Sequence, residues 1–530
     1  MSRALIYKNM NKKIIILLLI IFLAFFFRFW QLDLIPPGLW PDEAMNGNDA
    51  VETLKSGNFK LFYPDNNGRE GLFMWIISLS FYFFGINMWS LKFSSALLGS
   101  LTVLGMFFLT KEVFLIFKKE DKTAPLVASF LLATSFWHLN FSRIAFRAIM
   151  SPFCLLFSFY FLLRGFRTKK IWNFILSGIF FGIGFHTYIS FRMAPLLFLA
   201  FLTPLFFQYL KNKSLNKYIA FVSLYLISIF IVALPIGIYF LNNPGDFMGR
   251  TSQVSIFDSE NPLLFGAKSL ISHLAMFNFY GDPNWRHNFS TSPMLPFSLG
   301  LLFLVGVIAS LKGFFISFRN KDYSLLAVYS LIFSWFFVML LPGILTSEGI
   351  PHALRVLNVI PVVYLLVTIG FFWVYKKLKE NLKEEKKIKI LNILTIFFLF
   401  TVGFSEINKY FYNWAEREEV KHSFTENYVE IGTYLNSLPN DVKKYVMINE
   451  PGKFLHGISI SAQTPMFIEK IKYKETRAEY IRFEEIEKIN PKEHSIVIPI
   501  YPEKSIEELE RIFENGIVKL ENNVLIFEIK

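Results

Sequence analysis

The sequence predicts an α-helical polytopic membrane protein, with about eleven transmembrane helices and a small α/β domain at its C-terminal end. Three observations carry this expectation. Hydrophobic residues make up 53% of the 530 and charged residues only 18%, with 64 Phe, a balance too apolar for an ordinary soluble globule. Lys and Arg gather in short clusters between apolar segments, which is the charge footprint of membrane topology. The net charge of +13 therefore calls for no nucleic-acid partner, since no basic face is interleaved with stacking aromatics. From Glu406 onward the composition becomes that of a soluble domain, so the expected division is a membrane domain, 1–405, and a soluble domain, 406–530.

The elements follow in chain order. Arg3, Lys8, Lys12 and Lys13 precede the apolar run 14–27, and large Phe, Arg and Trp residues follow it where a signal peptidase needs small ones. An uncleaved first helix with a cytoplasmic N-terminus is expected, delivering residues 31 to about 90 to the outer side. The stretch 71–84 is apolar but short. Read as a re-entrant or juxtamembrane helix, it leaves the basic clusters at 111–122, 164–170, 211–217, 312–321 and 376–389 all in the cytosol; read as a full crossing, it inverts them. Helices at about 91–117, 124–140, 171–186, 218–241 and 323–341, with the returning helices between and after them, then leave outer loops near 142–147, 186–192, 242–295 and 346–355. In the last domain the apolar runs 445–448, 495–501 and 524–529 alternate with helix-like stretches such as 506–514, hence α/β, and parity puts the domain outside the cell membrane. Cys154 is the single cysteine and sits in an apolar run, which excludes an internal disulfide and a Cys-based metal cluster. No Walker-type phosphate loop is present, so ATP-driven transport is not expected.

The sequence points to Leu39-Trp40-Pro41-Asp42-Glu43-Ala44, just beyond the first apolar segment, as the seat of chemistry. Pro41 presets a helix start, which puts Asp42 near the positive end of the helix dipole, where a carboxylate stays ionised and can act as a base. Adjacent side chains diverge, so Asp42 and Glu43 cannot face each other across one bond; one acts on substrate and the other supports the site. A helix cap at the membrane interface is the competing reading. Arg143, Arg147, Arg192, Arg286 and Arg355 fall on the outer side, against the positive-inside tendency, and an anionic ligand supplies a reason: guanidinium forks bind phosphate. Snorkelling at the headgroups is the alternative for any one of them. His186 and Tyr188 lie beside Arg192 and can touch the same phosphate or belong to an aromatic belt, and His287 and His352 join the set. No His-x-x-x-His or carboxylate-rich loop occurs, so neither a built-in metal nor a cofactor is expected. These groups suit transfer of a sugar from a polyprenyl phosphate. The leaving phosphate needs charge neutralisation, the acceptor hydroxyl needs one base, and a single displacement inverts the sugar carbon. The competing class is a transporter or flippase for a lipid-linked saccharide, which would place ionisable groups at mid-membrane instead of at helix ends.

Over residues 10 to about 400 the chain resembles the glycosyltransferase C superfamily, specifically family 39-like enzymes related to protein O-mannosyltransferases and the lipid A aminoarabinose transferase. Pro41-Asp42-Glu43 looks like the family's acid signature, whose Asp is taken as the base. Arg69-Glu70-Gly71, followed by a short aromatic helix and Phe84-Gly85, is similar to the family's juxtamembrane element, which implies a supporting role for Arg69 and Glu70. Ser142-Arg143-Ile144-Ala145-Phe146-Arg147 matches the Ser-Arg of the second outer loop. Where many relatives carry an acid in that loop, this chain has Ala148-Ile149-Met150-Ser151-Pro152, and the Pro-Pro before the juxtamembrane aromatics is absent. The resemblance implies a polyprenyl-phosphate sugar donor, a membrane-lipid environment and an acceptor that it leaves undefined.

Overall fold

A computed structural model describes residues 3–118, 123–448, 454–455 and 458–530; the side chains of 3–11, 250–252, 454–455 and 503–504 are outside the description. Lys119 and Lys122 of the second basic cluster lie outside the described residues. The chain is an integral multi-pass membrane protein. Among the described residues eight helices are long and apolar enough to cross a bilayer: Met88–Ile116, Arg147–Thr168, Ile189–Lys211, Leu215–Asn242, Phe297–Arg319, Tyr323–Ile344, Leu357–Glu380 and Glu385–Trp414. Their burial separates an inner from an outer set. The apolar window of Leu357–Glu380 is 83% buried and that of Glu385–Trp414 only 17%, so the first is a core helix and the second shows its apolar surface to lipid. The first helix, α1, runs Arg3–Phe29.

Two of the expected crossings are shorter than the sequence reading had them. The stretch 124–140 breaks into Ala124–Thr134 and Phe136–Phe141, and 171–186 yields Ile171–Gly184. The break has a local cause. Ser135 leaves the helical conformation at φ −58°, ψ 122°, and its hydroxyl accepts from the amide of His138 at 3.3 Å, acting as the cap of the next helix. The amide of Phe136 donates to Glu406 Oε2 at 3.0 Å, and Tyr364 Oη donates to Ser135 Oγ at 2.6 Å. Backbone amides freed at such a break need protein partners; Ser135 and Glu406 supply them, and Tyr364 holds the Ser135 hydroxyl in place. Helix lengths alone therefore do not return the expected eleven.

The described residues divide into two compact units, and the division differs from 1–405 and 406–530. One unit comprises 1–30, 95–143 and 147–414; the other comprises 31–94, 144–146 and 415–530. The first holds the core of long helices.

The second unit joins the loop after α1 to the C-terminal domain. Its helix α2, Pro41–Ser56, starts at a proline and stops where Gly57 turns left-handed at φ 68°. Helix α3, Leu72–Phe84, has 13 residues, about 20 Å of rise, short of the roughly 30 Å of a hydrocarbon core. Tyr82, Phe83 and Phe84 are exposed at its end, as a juxtamembrane helix requires. A five-stranded sheet has the order Glu479–Ile481, Lys443–Met447, Ser495–Pro499, Val524–Ile529, Gly516–Glu521; the first three strands are parallel and the last two antiparallel. Three of these strands fall on the runs at 445–448, 495–501 and 524–529, and Pro502–Ile512 forms the helix expected at 506–514.

Contacts between the loop and the domain are specific. The carbonyl of Leu39 accepts from both Thr425 Oγ1 and Thr464 Oγ1 at 2.9 Å. Asn48 Nδ2 donates to the carbonyl of Gln463 at 3.0 Å and to its Oε1 at 2.9 Å, and Phe81 of α3 stacks on Phe467 at 6.0 Å. Two glycines permit this approach. At Gly38, with φ 77°, a Cβ would lie 2.4 Å from the carbonyl oxygen of Phe424; at Gly47 it would lie 2.6 Å from the ring of Phe467.

Candidate functional site

Helix α2 is polar yet ten of its sixteen residues are buried, so its polar groups have to find partners inside the protein. Glu43, Asn46 and Asp49 recur at i, i+3 and share one side. Fully buried Glu43 accepts the amide of Ala145 on Oε2 at 2.6 Å, while Asn46 Nδ2 donates to the carbonyl of the same residue at 3.0 Å. Both backbone polar groups of Ala145 are thereby held. Arg69 then closes the row: Nη1 donates to Asn46 Oδ1 at 2.9 Å and Nη2 pairs with Asp49 Oδ2 at 2.6 Å, with Arg69 only 2% exposed. Burial raises the carboxyl pKa of Asp49 and the charge of Arg69 opposes the rise. Asp42 points elsewhere. It is half-buried in the first turn, and its Oδ1 accepts from Asn66 Nδ2 at 2.6 Å. Arg69 and Glu70 pair with Tyr63 and Phe62 in a two-residue antiparallel ladder. The supporting arginine is thus built into the backbone as well as the side-chain network.

In the other unit the predicted residues separate by what they touch. Arg143 is fully buried and donates to the carbonyls of Phe27 at 2.7 Å and Trp30 at 2.8 Å, at the C-terminal end of α1. Helix-end carbonyls carry partial negative charge, so this guanidinium caps α1, which differs from the expected phosphate contact. Arg192 donates to the carbonyl of Phe247 at 2.5 Å and lies over the rings of Phe240 and Phe247, and His186 Nε2 meets the carbonyl of Val232 at 2.9 Å. Arg355 bonds within its own turn, to Thr346 Oγ1 at 2.7 Å and Glu348 Oε2 at 3.1 Å. Arg147 and Tyr188 are brought together, the guanidinium 5.3 Å from the ring centre. The backbone carbonyl of Arg286 accepts from Asn140 Nδ2 at 2.7 Å, and its amide donates to Asn284.

His287 and His352 meet at 4.9 Å between ring centres, beside an acid that the sequence reading did not single out. Asp282 Oδ2 is 3.0 Å from His287 Nδ1 and 3.9 Å from His352 Nδ1. Burial, reinforced by His287 and Arg355, pushes the pKa of His352 well below the usual imidazole range, so it is a neutral donor at physiological pH. Asn46, Asn66 and Asp282 are the residues that sequence reasoning did not single out, while Asp49 was noted only as one acid of the first outer loop. The recurrence of acid and amide at 43, 46 and 49 was a legible signal; nothing local tied Asp282 to His352.

This fold, with an acid-bearing helix between the first membrane helix and the short helix α3, has solved counterparts. Residues 72–239 match the family model for dolichyl-phosphate-mannose-protein mannosyltransferase. Crystal structures of ArnT from Cupriavidus metallidurans superpose along nearly the whole chain. The apo form gives a TM-score of 0.56 at 11% identity, covering 99% of this chain and 98% of ArnT, and the form bound to undecaprenyl phosphate gives 0.57 at 12%, covering 97% and 98%. An uncharacterized protein of Aquifex aeolicus (strain VF5) is 29% identical over 142 residues, a match spanning 26% of this chain and 27% of that relative's length.

Proposed function

We propose that this chain is a family 39-like membrane glycosyltransferase that moves a sugar from a polyprenyl-phosphate-linked donor to an acceptor on the extracytoplasmic side, with inversion. The observation that carries the reading is Asp42, half-buried in the first turn of α2, in a fold shared with a protein that has been solved holding undecaprenyl phosphate. Asp42 is the base that takes the acceptor's hydroxyl proton as oxygen attacks the sugar carbon. Phosphate leaves with its charge neutralised by arginine. Glu43, Asn46, Asp49 and Arg69 support the base by fixing α2. Arg147, beside Tyr188, is the proposed donor-phosphate residue; Arg143, Arg192 and Arg355 serve their loops and helix ends, since each already donates to oxygens nearby. A flippase reading is not favoured, because the shared fold belongs to sugar transfer.

The test is transfer itself: purified protein, offered radiolabelled polyprenyl-phosphate sugars and envelope extracts as acceptor, is expected to move label from lipid to acceptor. No transfer from any donor would remove the reading. Arg147→Ala is expected to raise the donor KM by about ten- to a hundredfold, the worth of a hydrogen bond to a charged group, with a smaller effect on kcat. An unchanged donor KM reassigns Arg147 to the lipid interface.

The proposed topology places the protein in the plasma membrane with its N-terminus cytoplasmic and the α/β domain extracytoplasmic. In a Cys154→Ser background on intact cells, an impermeant thiol reagent is expected to label Glu508→Cys and to leave Lys170→Cys and Lys213→Cys unlabelled. The reverse pattern inverts every sidedness assignment.

A further inference from the structure

Leu39 lies two residues before α2 begins, fully buried and outside any helix or strand. One donor would satisfy its carbonyl oxygen. Two reach it, Thr425 Oγ1 and Thr464 Oγ1, each at 2.9 Å and from 386 and 425 positions along the chain. Both lone pairs of one buried oxygen are thus taken by hydroxyls of the C-terminal domain.

Local structure does not account for these threonines. Thr425 stands at the N-cap of the helix Glu426–Ser437, where a threonine oxygen ordinarily accepts an amide of the first turn, yet it makes no such bond. Its backbone is left-handed, at φ 51° and ψ 52°, a region in which a β-branched residue is strained and glycine is not. What threonine has there and glycine lacks is the hydroxyl aimed at Leu39. Strain of this kind persists where the surroundings impose it, and it gathers at functional sites. Thr464, fully buried in the first turn of the helix Gln463–Tyr473, directs its hydroxyl to the same carbonyl.

We propose that Thr425 and Thr464 are positioning residues for the transfer reaction: they fix the entry of α2 and with it the carboxylate of Asp42. The proposal rests on the reading of Asp42 as the base. The linkage is short. Leu39 and Trp40 share a peptide, and the carbonyl of Trp40 opens α2 by accepting the amides of Glu43 at 2.9 Å and Ala44 at 3.1 Å. Two donors on Leu39 fix the plane of that peptide, so the first turn cannot swing about its entry. Trp40 is extended at φ −64°, ψ 140°, as a residue before proline prefers, and Pro41 has its own φ locked, so few soft dihedrals separate the grip from Asp42. Farther along, Gln463 holds Asn48, and Asn66 holds Asp42 Oδ1 itself. A reacting group misplaced by about 1 Å loses on the order of a hundredfold in rate. The C-terminal domain therefore gives no group to the reaction and holds in place the one that takes the proton.

The experiment uses the full-length protein in detergent with the lipid-linked sugar that the transfer assay identifies. Thr425→Val and Thr464→Val keep shape and branching and remove only the hydroxyls. The double valine variant is expected to lose about tenfold to a hundredfold in kcat, with donor KM within about twofold of wild type, and serine at both sites should return most of the rate. Thr433→Val, at an exposed position of the helix Glu426–Ser437, is the control and should leave both constants unchanged. An unchanged kcat in the double valine variant overturns the proposal, and so does a double serine variant as slow as the valine one. Hydrogen exchange reads the grip without turnover: peptides covering residues 39–48 should exchange about tenfold faster in each single valine variant than in wild type, and equal rates refute it. Should the double variant fail to fold, the single variants carry the kinetic test as well. No transfer by the wild type removes the reading of Asp42 as base, whereas transfer with unaffected valine variants removes this proposal alone.

Discussion

Asp42→Asn is expected to lower kcat by about 10²–10⁴-fold, the usual worth of a positioned general base, while donor KM stays near wild type. The amide keeps the shape of the carboxylate, and its oxygen can still accept from Asn66 Nδ2, the bond seen at 2.6 Å, so the start of α2 stays in place. What is lost is the capacity to take a proton. Steady-state kinetics with one defined donor, together with a donor-binding assay, separates the two effects. Turnover within tenfold of wild type would remove Asp42 from the chemistry, and loss of donor binding would show that it contacts the donor instead. The neighbouring Glu43→Gln should behave differently: Oε1 of the glutamine can still accept the amide of Ala145, so activity falls less than in Asp42→Asn.

Arg69→Ala should produce the largest loss of stability, roughly 3–5 kcal/mol, because it breaks a buried ion pair from one side and strands Asp49 and Asn46. The sign of its pH dependence follows from Asp49. Burial already raises the pKa of that carboxyl in the folded state, with Arg69 opposing; without Arg69 it rises further. A carboxyl with a raised folded-state pKa favours the folded state when protonated, so the deficit of Arg69→Ala is smallest at acid pH and grows as pH climbs through the range where Asp49 ionises. Thermal midpoints of the variant and wild type at two pH values check this. A deficit independent of pH would locate the effect in the bond to Asn46 instead. Arg69→Lys restores a charge beside Asp49 without the second prong to Asn46, and partial recovery is expected.

Much of this protein was legible residue by residue. Composition and clustered charge identify a membrane protein because lipid imposes a requirement on every segment that enters it, and each segment meets it with its own side chains. The 13 residues of α3 are too few to span by arithmetic alone. Pro41 followed by two acids marks a helix start from local dihedral and dipole rules, and the three apolar runs of the last domain became strands where they stood. The glycosyltransferase C resemblance rested on those same local motifs.

Pairings across the chain were decided by the tertiary structure. That Glu43 is consumed by the Ala145 peptide while Asp42 stays half-buried depends on which way a helix turns a residue relative to a partner about a hundred positions away. That the loop after α1 and the C-terminal domain form one unit depends on Thr425, Gln463 and Thr464 finding Leu39 and Asn48, and on Gly38 and Gly47 having no Cβ to prevent it. Arg143 became a cap for α1, and Asp282 joined two histidines, for the same reason. Periodicity, charge and turn chemistry are written in neighbouring residues, whereas a buried polar group is satisfied by whichever partner the packed fold delivers to it, and that partner has no fixed distance in sequence.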